Sequence, residues 1–202
     1  MTSKLTRRDA LAGIMIALGG AGAAGCSPDS LPIFGGRKFY TRGEMRLVET
    51  LADAIIPHTD TPGAIAAGVP TYIDAMMKAW ASDETKATHR QSLREIAAKL
   101  EELGGDKLER LSPEARVQAV SRLDAEAYAD GEPPGWLAVW QRGAPMPSEG
   151  EVGAKYRWLK AFIALVYYST EIGATQELQF ELVPGRWDGD VALSEIGRTW
   201  AE

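Results

Sequence analysis

The sequence is short of the residues that build redox and metal chemistry. Among its 202 residues there is one cysteine, Cys26, and there are two histidines, His58 and His89. A single cysteine excludes a disulfide within the chain, a haem attached through C-x-x-C-H, and a cysteine metal cluster. Cations are outnumbered as well: 22 Lys and Arg against 28 Asp and Glu leave a formal charge of −6. Phosphate contacts need clustered Lys and Arg, so an acidic chain of this kind argues against nucleic acid as a partner. Alternating apolar and polar residues do not recur over enough segments to build a sheet, and no internal repeat is visible. No G-x-S-x-G nucleophile elbow occurs.

What is present begins with an address. The chain opens M-T-S-K-L-T-R-R-D, and residues 10–25 follow without a charge. That stretch is too short and too rich in glycine to span a membrane as a stable helix. Arg7 and Arg8 ahead of a weakly apolar run form a twin-arginine export signal, which the twin-arginine translocase reads and which does not itself anchor the protein. Ala23, Ala24 and Gly25 lead into Cys26 in the manner of a lipobox, whose thiol is acylated. An ordinary cleavage site beside a free cysteine is the alternative, and both remain open. The expected location is the periplasm, with a lipidated Cys26 as the candidate membrane anchor. Gly20, Gly22 and Gly25 satisfy G-x-G-x-x-G, but Pro28 and Pro32 stand where a dinucleotide site needs a helix.

Three parts are therefore expected: a signal at 1–26, a Ser-, Pro- and Gly-containing linker at 27–40, and a domain at 41–202. The domain reads as all-α, with five or six helices and an irregular C-terminal segment. Thr41 with Glu44 makes a T-x-x-E capping box, and Met45, Leu47, Val48, Leu51, Ala52 and Ile55 follow at helical spacing until Pro57. Residues 57–70 read as an ordered loop, with Pro70 in the first turn of a helix whose apolar face is Tyr72, Ile73, Met76, Met77 and Trp80. A third helix is expected over about 84–103, with Leu93, Ile96, Ala97, Leu100 and Leu103 inward and Gly104-Gly105 as its stop. Ser112-Pro113 starts a fourth, with Val117, Val120, Leu123 and Ala127 inward. Residues 130–150 read as loop around Trp136 and Trp140, and 151–169 as a central buried helix. The last thirty residues suggest extended and turn structure, with a short helix near 193–201.

Chemistry-bearing clusters are few. Asp53, His58 and Asp60 fall within eight residues, but no second histidine is near in sequence to complete a metal set. His58 and Asp60 are better read as ties within the proline loop. His89, beside Arg90 on a polar helix, reads as a solvated side chain. Ser169-Thr170-Glu171 has no neighbouring histidine to act as base. Trp136, Trp140, Trp158, Trp187 and Trp200 crowd the C-terminal third, as aromatics do where one protein meets another or where a small core needs covering.

Two stretches are more specific. Residues 51–74 read L-A-D-A-I-I-P-H-T-D-T-P-G-A-I-A-A-G-V-P-T-Y-I-D, and residues 167–190 read Y-Y-S-T-E-I-G-A-T-Q-E-L-Q-F-E-L-V-P-G-R-W-D-G-D. Both strongly resemble the gluconate 2-dehydrogenase subunit 3 family, the small subunit of membrane-associated, flavin-dependent sugar and polyol dehydrogenases. The resemblance covers residues 41–201 and extends to the twin-arginine leader. It implies a large partner of the glucose–methanol–choline oxidoreductase type that holds FAD and the catalytic groups. It implies that this partner is carried out folded by the small subunit's leader, and that electrons pass on to a c-type cytochrome, with its haem in a third subunit, or to the quinone pool. It carries no catalytic, cofactor or metal residue onto this chain. Cys26 departs from the ordinary cleavage site of many members.

The leading expectation is thus a non-catalytic accessory subunit, with His58, Asp60, Trp187 and Asp188 as candidate partner contacts. Two other classes compete: a stand-alone exported lipoprotein binding module, and a metal-dependent hydrolase using Asp53, His58 and Asp60.

Overall fold

The computed structural model describes residues 38–129, 146–181, 185 and 197–201. All of these lie in one compact unit that begins at Lys38. The elements are α1 (Arg42–Ile55), α2 (Val69–Ala79), α3 (Asp83–Gly104), α4 (Pro113–Ala127), α5 (Val152–Tyr168) and a π-helical turn, Gly173–Glu177. The described residues contain no strand, so the domain is all-α as expected.

Three of the helix starts are written by a local side-chain cap. The Thr41 hydroxyl accepts from the Glu44 amide, and the Glu44 carboxylate accepts in return from the Thr41 amide at 2.8 Å. Ser82 caps α3 through the Thr85 amide, and Ser112 caps α4 through the Ala115 amide. Each such cap contributes about 1 kcal/mol by satisfying an amide that the helix itself cannot. Gly105 ends α3 in the left-handed conformation, with φ of 78°, where a side chain would be strained.

Helix α5 packs against all four other helices and forms the centre of the bundle. Leu159 and Ile163 on α5 meet Val48 and Leu51 of α1, Ile73 of α2, and Leu93, Ile96 and Leu100 of α3 in one fully buried cluster. Lys155, Arg157 and Lys160 on α5, which argue against a membrane span, are spent on neighbours. Lys155 is buried and its ammonium donates to Glu95 at 2.6 Å, Arg157 donates to the Ala127 carbonyl, and Lys160 reaches Asp124. No described helix is long and apolar enough to cross a membrane.

Several expectations are corrected. His89 is buried, not solvated, and the Tyr40 hydroxyl lies 2.6 Å from its Nε2. The face of α2 turns inward at Ile73 and Met77, whereas Tyr72 and Trp80 are exposed. The inner register of α2 also includes Asp74, whose carboxylate accepts from the buried Tyr40 amide at 2.7 Å. Val117 faces solvent, and Ala119 with Val120 takes the inner position on α4. After α5 the chain first makes the π-turn and becomes extended only from Leu178. Of the helix expected near 193–201, residues 197–201 are not helical and 193–196 lie outside the described residues. Gly197 has φ of 70°, and Trp200 forms an isolated parallel bridge with Gln179. The expected loop around Trp136 and Trp140 lies outside the described residues, apart from residues 146–150 at its end.

Candidate functional site

The loop between α1 and α2 is irregular but closely tied. Its backbone folds back so that the Ala64 amide donates to the Ile56 carbonyl at 2.9 Å and the Thr59 amide to the Thr61 carbonyl at 3.1 Å. Gly63 is what permits this. A Cβ there would stand 2.6 Å from the His58 amide nitrogen and from the Ile56 carbonyl oxygen, closer than real contacts allow. Gly68, with φ of 73°, turns the chain into α2, and Pro70 occupies the first turn.

Opposite this loop lies the end of α5. Thr170 closes it, donating to the Tyr167 carbonyl at 2.6 Å and accepting from the Gly173 amide at 3.0 Å. The chain then passes so near α5 that a Cβ on Gly173 would sit 2.2 Å from the Tyr167 carbonyl oxygen. Only glycine allows that approach, and the next residues form the π-turn, a local form that recurs at functional positions. Ser169 and Thr170 are thereby tied to the backbone, since the Ser169 hydroxyl donates to the Leu165 carbonyl at 2.8 Å. Neither hydroxyl is poised as a nucleophile.

The two segments are joined by side chains. Tyr167 donates from its hydroxyl to the Pro62 carbonyl at 2.7 Å, and the Thr61 hydroxyl donates to the Glu177 carboxylate. Beyond the π-turn, Arg198 donates to the Gln176 carbonyl, and the Gln179 amide to the Thr199 carbonyl at 2.8 Å. Thus the 57–68 loop, the π-turn and the 197–201 segment share one end of the bundle, where α1 and α5 finish and α2 begins. The two stretches singled out in the sequence are brought together here, although 105 residues separate Pro62 from Tyr167.

His58 and Asp60 are both exposed on this loop. The hydroxyl of Thr59, 3.0 Å away, holds the Asp60 carboxyl below the usual carboxylate range, and the charge of Arg198 acts in the same direction. Asp53 is exposed on α1. Among the described residues no three His, Cys, Asp or Glu side chains converge as a metal set, so Asp53, His58 and Asp60 do not form one. Arg7, Arg8, Cys26, Trp187 and Asp188 lie outside the described residues.

Two polar clusters escape a reading of the sequence. In the first, Tyr40, Asp74, His89 and Arg90 hold the start of the domain. Arg90 donates to the Phe39 carbonyl at 2.5 Å, lies 4.4 Å over the Phe39 ring, and pairs with Glu44. Burial holds His89 down to about 4, with Arg90 adding to the effect and Glu44 opposing it. A signal did exist: 89, 93, 96 and 100 fall at helical spacing, so His89 shares the inward face of Leu93, Ile96 and Leu100. In the second cluster, Tyr156 and Lys160, one helical turn apart, both meet Asp124. The Tyr156 hydroxyl donates to that carboxylate at 2.9 Å. Burial, and then the bond to Asp124, push this phenol far above its ordinary range, so it is a locked donor and not an acid–base group.

A shallow open cleft of about 270 Å³ lies between α1, α3 and the start of α4. Its cations are already engaged: Arg46 with Glu109 at 2.7 Å, and Arg116 with the Leu108 carbonyl at 3.0 Å. Ligand pockets run from roughly 300 to 1,000 Å³, and this cleft falls just short of that range.

Residues 42–185 match the family model described as Gluconate 2-dehydrogenase subunit 3. No curated protein and no solved structure matches the chain. The matched span takes in all five α-helices, the 57–68 loop and the π-turn, which is more than half of the chain. On that match the chain belongs to the gluconate 2-dehydrogenase subunit 3 family.

Proposed function

We propose that this chain is the small accessory subunit of a periplasmic, membrane-associated, FAD-dependent sugar dehydrogenase of the glucose–methanol–choline type. The observation that carries the reading is the family match over residues 42–185, which makes the chain a subunit of a dehydrogenase and implies a larger partner. The described residues support a non-catalytic role. The hydroxyls of Ser169 and Thr170 and the carboxylate of Asp124 are committed to internal bonds, and the Nε2 of His89 is held by the Tyr40 hydroxyl. In this reading FAD and the reacting groups belong to the partner, and electrons leave through a c-type haem in a third subunit.

The leader gives the second half of the proposal. Arg7 and Arg8 address a route that carries folded cargo. A helical domain of this size has little need of such a route for itself, whereas a flavoprotein that must bind FAD before crossing does. The small subunit therefore escorts and stabilises its partner, and an acylated Cys26 holds the pair at the membrane.

The test is recovery of the exported protein from its host. A flavoprotein should co-purify, and replacing both arginines with lysine should leave flavoprotein and small subunit together in the cytoplasm. A chain that always elutes alone, with no flavin absorbance in any fraction, would defeat the reading and favour a stand-alone binding module.

A further inference from the structure

Seven large apolar side chains are exposed among the described residues, and five of them belong to the end of the bundle where the 57–68 loop meets the π-turn. These are Ile65, Tyr72, Tyr168, Phe180 and Trp200, each between 37% and 56% exposed. Their connection can be traced. Ile65 accepts through its carbonyl from the Gly68 amide, and the Tyr72 ring lies 3.6 Å from where a Gly68 Cβ would stand. Partial burial, and then the charge of Glu177, which Thr61 binds, raise the Tyr168 phenol. Phe180 follows Gln179, which pairs with Trp200. Single exposed apolar residues are ordinary, but a gathered set with aromatics is the signature of an interface.

The charges at the same end are one-sided. Within the 57–68 loop and residues 171–181 and 197–201, Asp60, Glu171, Glu177 and Glu181 stand against Arg198. This narrows the occupant. A two-fold dimer would set the patch against itself and oppose like charges. A membrane surface, with its anionic headgroups, would be repelled. A different protein with a basic rim around an apolar depression is complementary. The face is also preorganised: the Tyr167–Pro62 and Thr61–Glu177 bonds and the close approaches at Gly63 and Gly173 fix two irregular segments in advance, which reduces the ordering cost of association.

The geometry points to this end of the bundle as the docking face for the larger dehydrogenase subunit, with Ile65 and Phe180 among its apolar anchors and the four carboxylates as its steering rim. The inference rests on the proposed accessory role.

The experiment is co-purification of the flavoprotein with the full-length chain from its host. It compares Ile65→Ser with Phe180→Ser, then Glu171→Lys with Glu181→Lys, and as controls Trp80→Ser with Val117→Ser, which are exposed elsewhere. The serine pair at the face should lower capture by about tenfold or more, while the thermal midpoint of the isolated chain stays unchanged. The lysine pair should lower capture and flatten its dependence on salt, which a merely structural role would not do. The control pair should capture at the wild-type level. Full capture by both face pairs, or equal losses in the controls, overturns the assignment while leaving the accessory role standing. Face variants that only convert a self-associated chain to monomer, seen by sedimentation, assign the face to a second copy and overturn it too. If the unaltered chain captures no flavoprotein, the accessory role itself fails, and this occupant with it.

Discussion

The Tyr167 hydroxyl donates to the Pro62 carbonyl across 105 residues of sequence, and this bond ties the end of the central helix to the loop between α1 and α2. Tyr167 is itself buried, with its ring 5.2 Å from that of Tyr168. Removing the hydroxyl leaves the packing and strands one carbonyl. Tyr167→Phe should therefore cost about 1 kcal/mol in urea unfolding with an unchanged slope. Amides of the 57–68 loop should exchange faster while those of α3 stay protected. A loss confined to global stability, with no local change in the loop, would show that the tie is not what orders it.

The glycines divide by what surrounds them. Gly173→Ala would drive a methyl group into the Tyr167 backbone carbonyl and should cost about 1–3 kcal/mol, since backbone cannot give way as a flexible side chain can. Gly63→Ala meets backbone in the same manner. Gly43 on α1 has nothing within 4 Å of its Cβ position, and alanine there should stabilise by about 0.5–1 kcal/mol. Thermal melting of the three variants checks both signs.

His89 makes stability depend on pH. Its folded value of about 4 lies below the ordinary 6.5, so the unfolded chain takes up the proton first. The contribution is complete above pH 6.5 and is lost as pH falls from there toward 4. The shift corresponds to something on the order of 3 kcal/mol. Unfolding free energies measured across that window should fall more steeply for the wild type than for His89→Leu, which has no proton to gain. Equal slopes would mean that other groups carry the acid sensitivity.

Lys155 and Glu95 should respond unequally. Glu95→Ala leaves a buried ammonium without its 2.6 Å partner and should cost about 3 kcal/mol. Lys155→Met removes the charge that needed a partner and leaves Glu95, whose side chain is 29% exposed, able to reach water. It should cost much less. Comparable losses from both would mean that the pair itself, and not the buried cation, matters.

These residues also show where a sequence can be read and where it cannot. The helices were legible because caps and spacing are local: Thr41, Ser82, Ser112 and Gly105 act within a few residues of themselves. Burial followed spacing for Leu93 and Ile96, and the same spacing placed His89 inside, against the polarity that suggested solvent. The exposed positions of Tyr72 and Trp80 were not legible, because an apolar side chain fits a core and a partner surface equally well. The π-turn was not legible either. It exists because Gly173 fits against Tyr167, a condition that no local propensity encodes. Of the proposed contacts, His58 and Asp60 do stand exposed on the loop, but the tie to Glu177 comes from Thr61, the residue after Asp60.

The stitching of Phe39 and Tyr40 has a mechanical side. A pull applied at Lys38 enters the fold at those two residues. It is passed at once to Asp74 on α2 and to His89 and Arg90 on α3. The load is then shared between two helices other than α1, whose first turn does not bear it alone. The opposite work, holding the loop and the π-turn in register, falls to other bonds, those from Tyr167 to Pro62 and from Thr61 to Glu177.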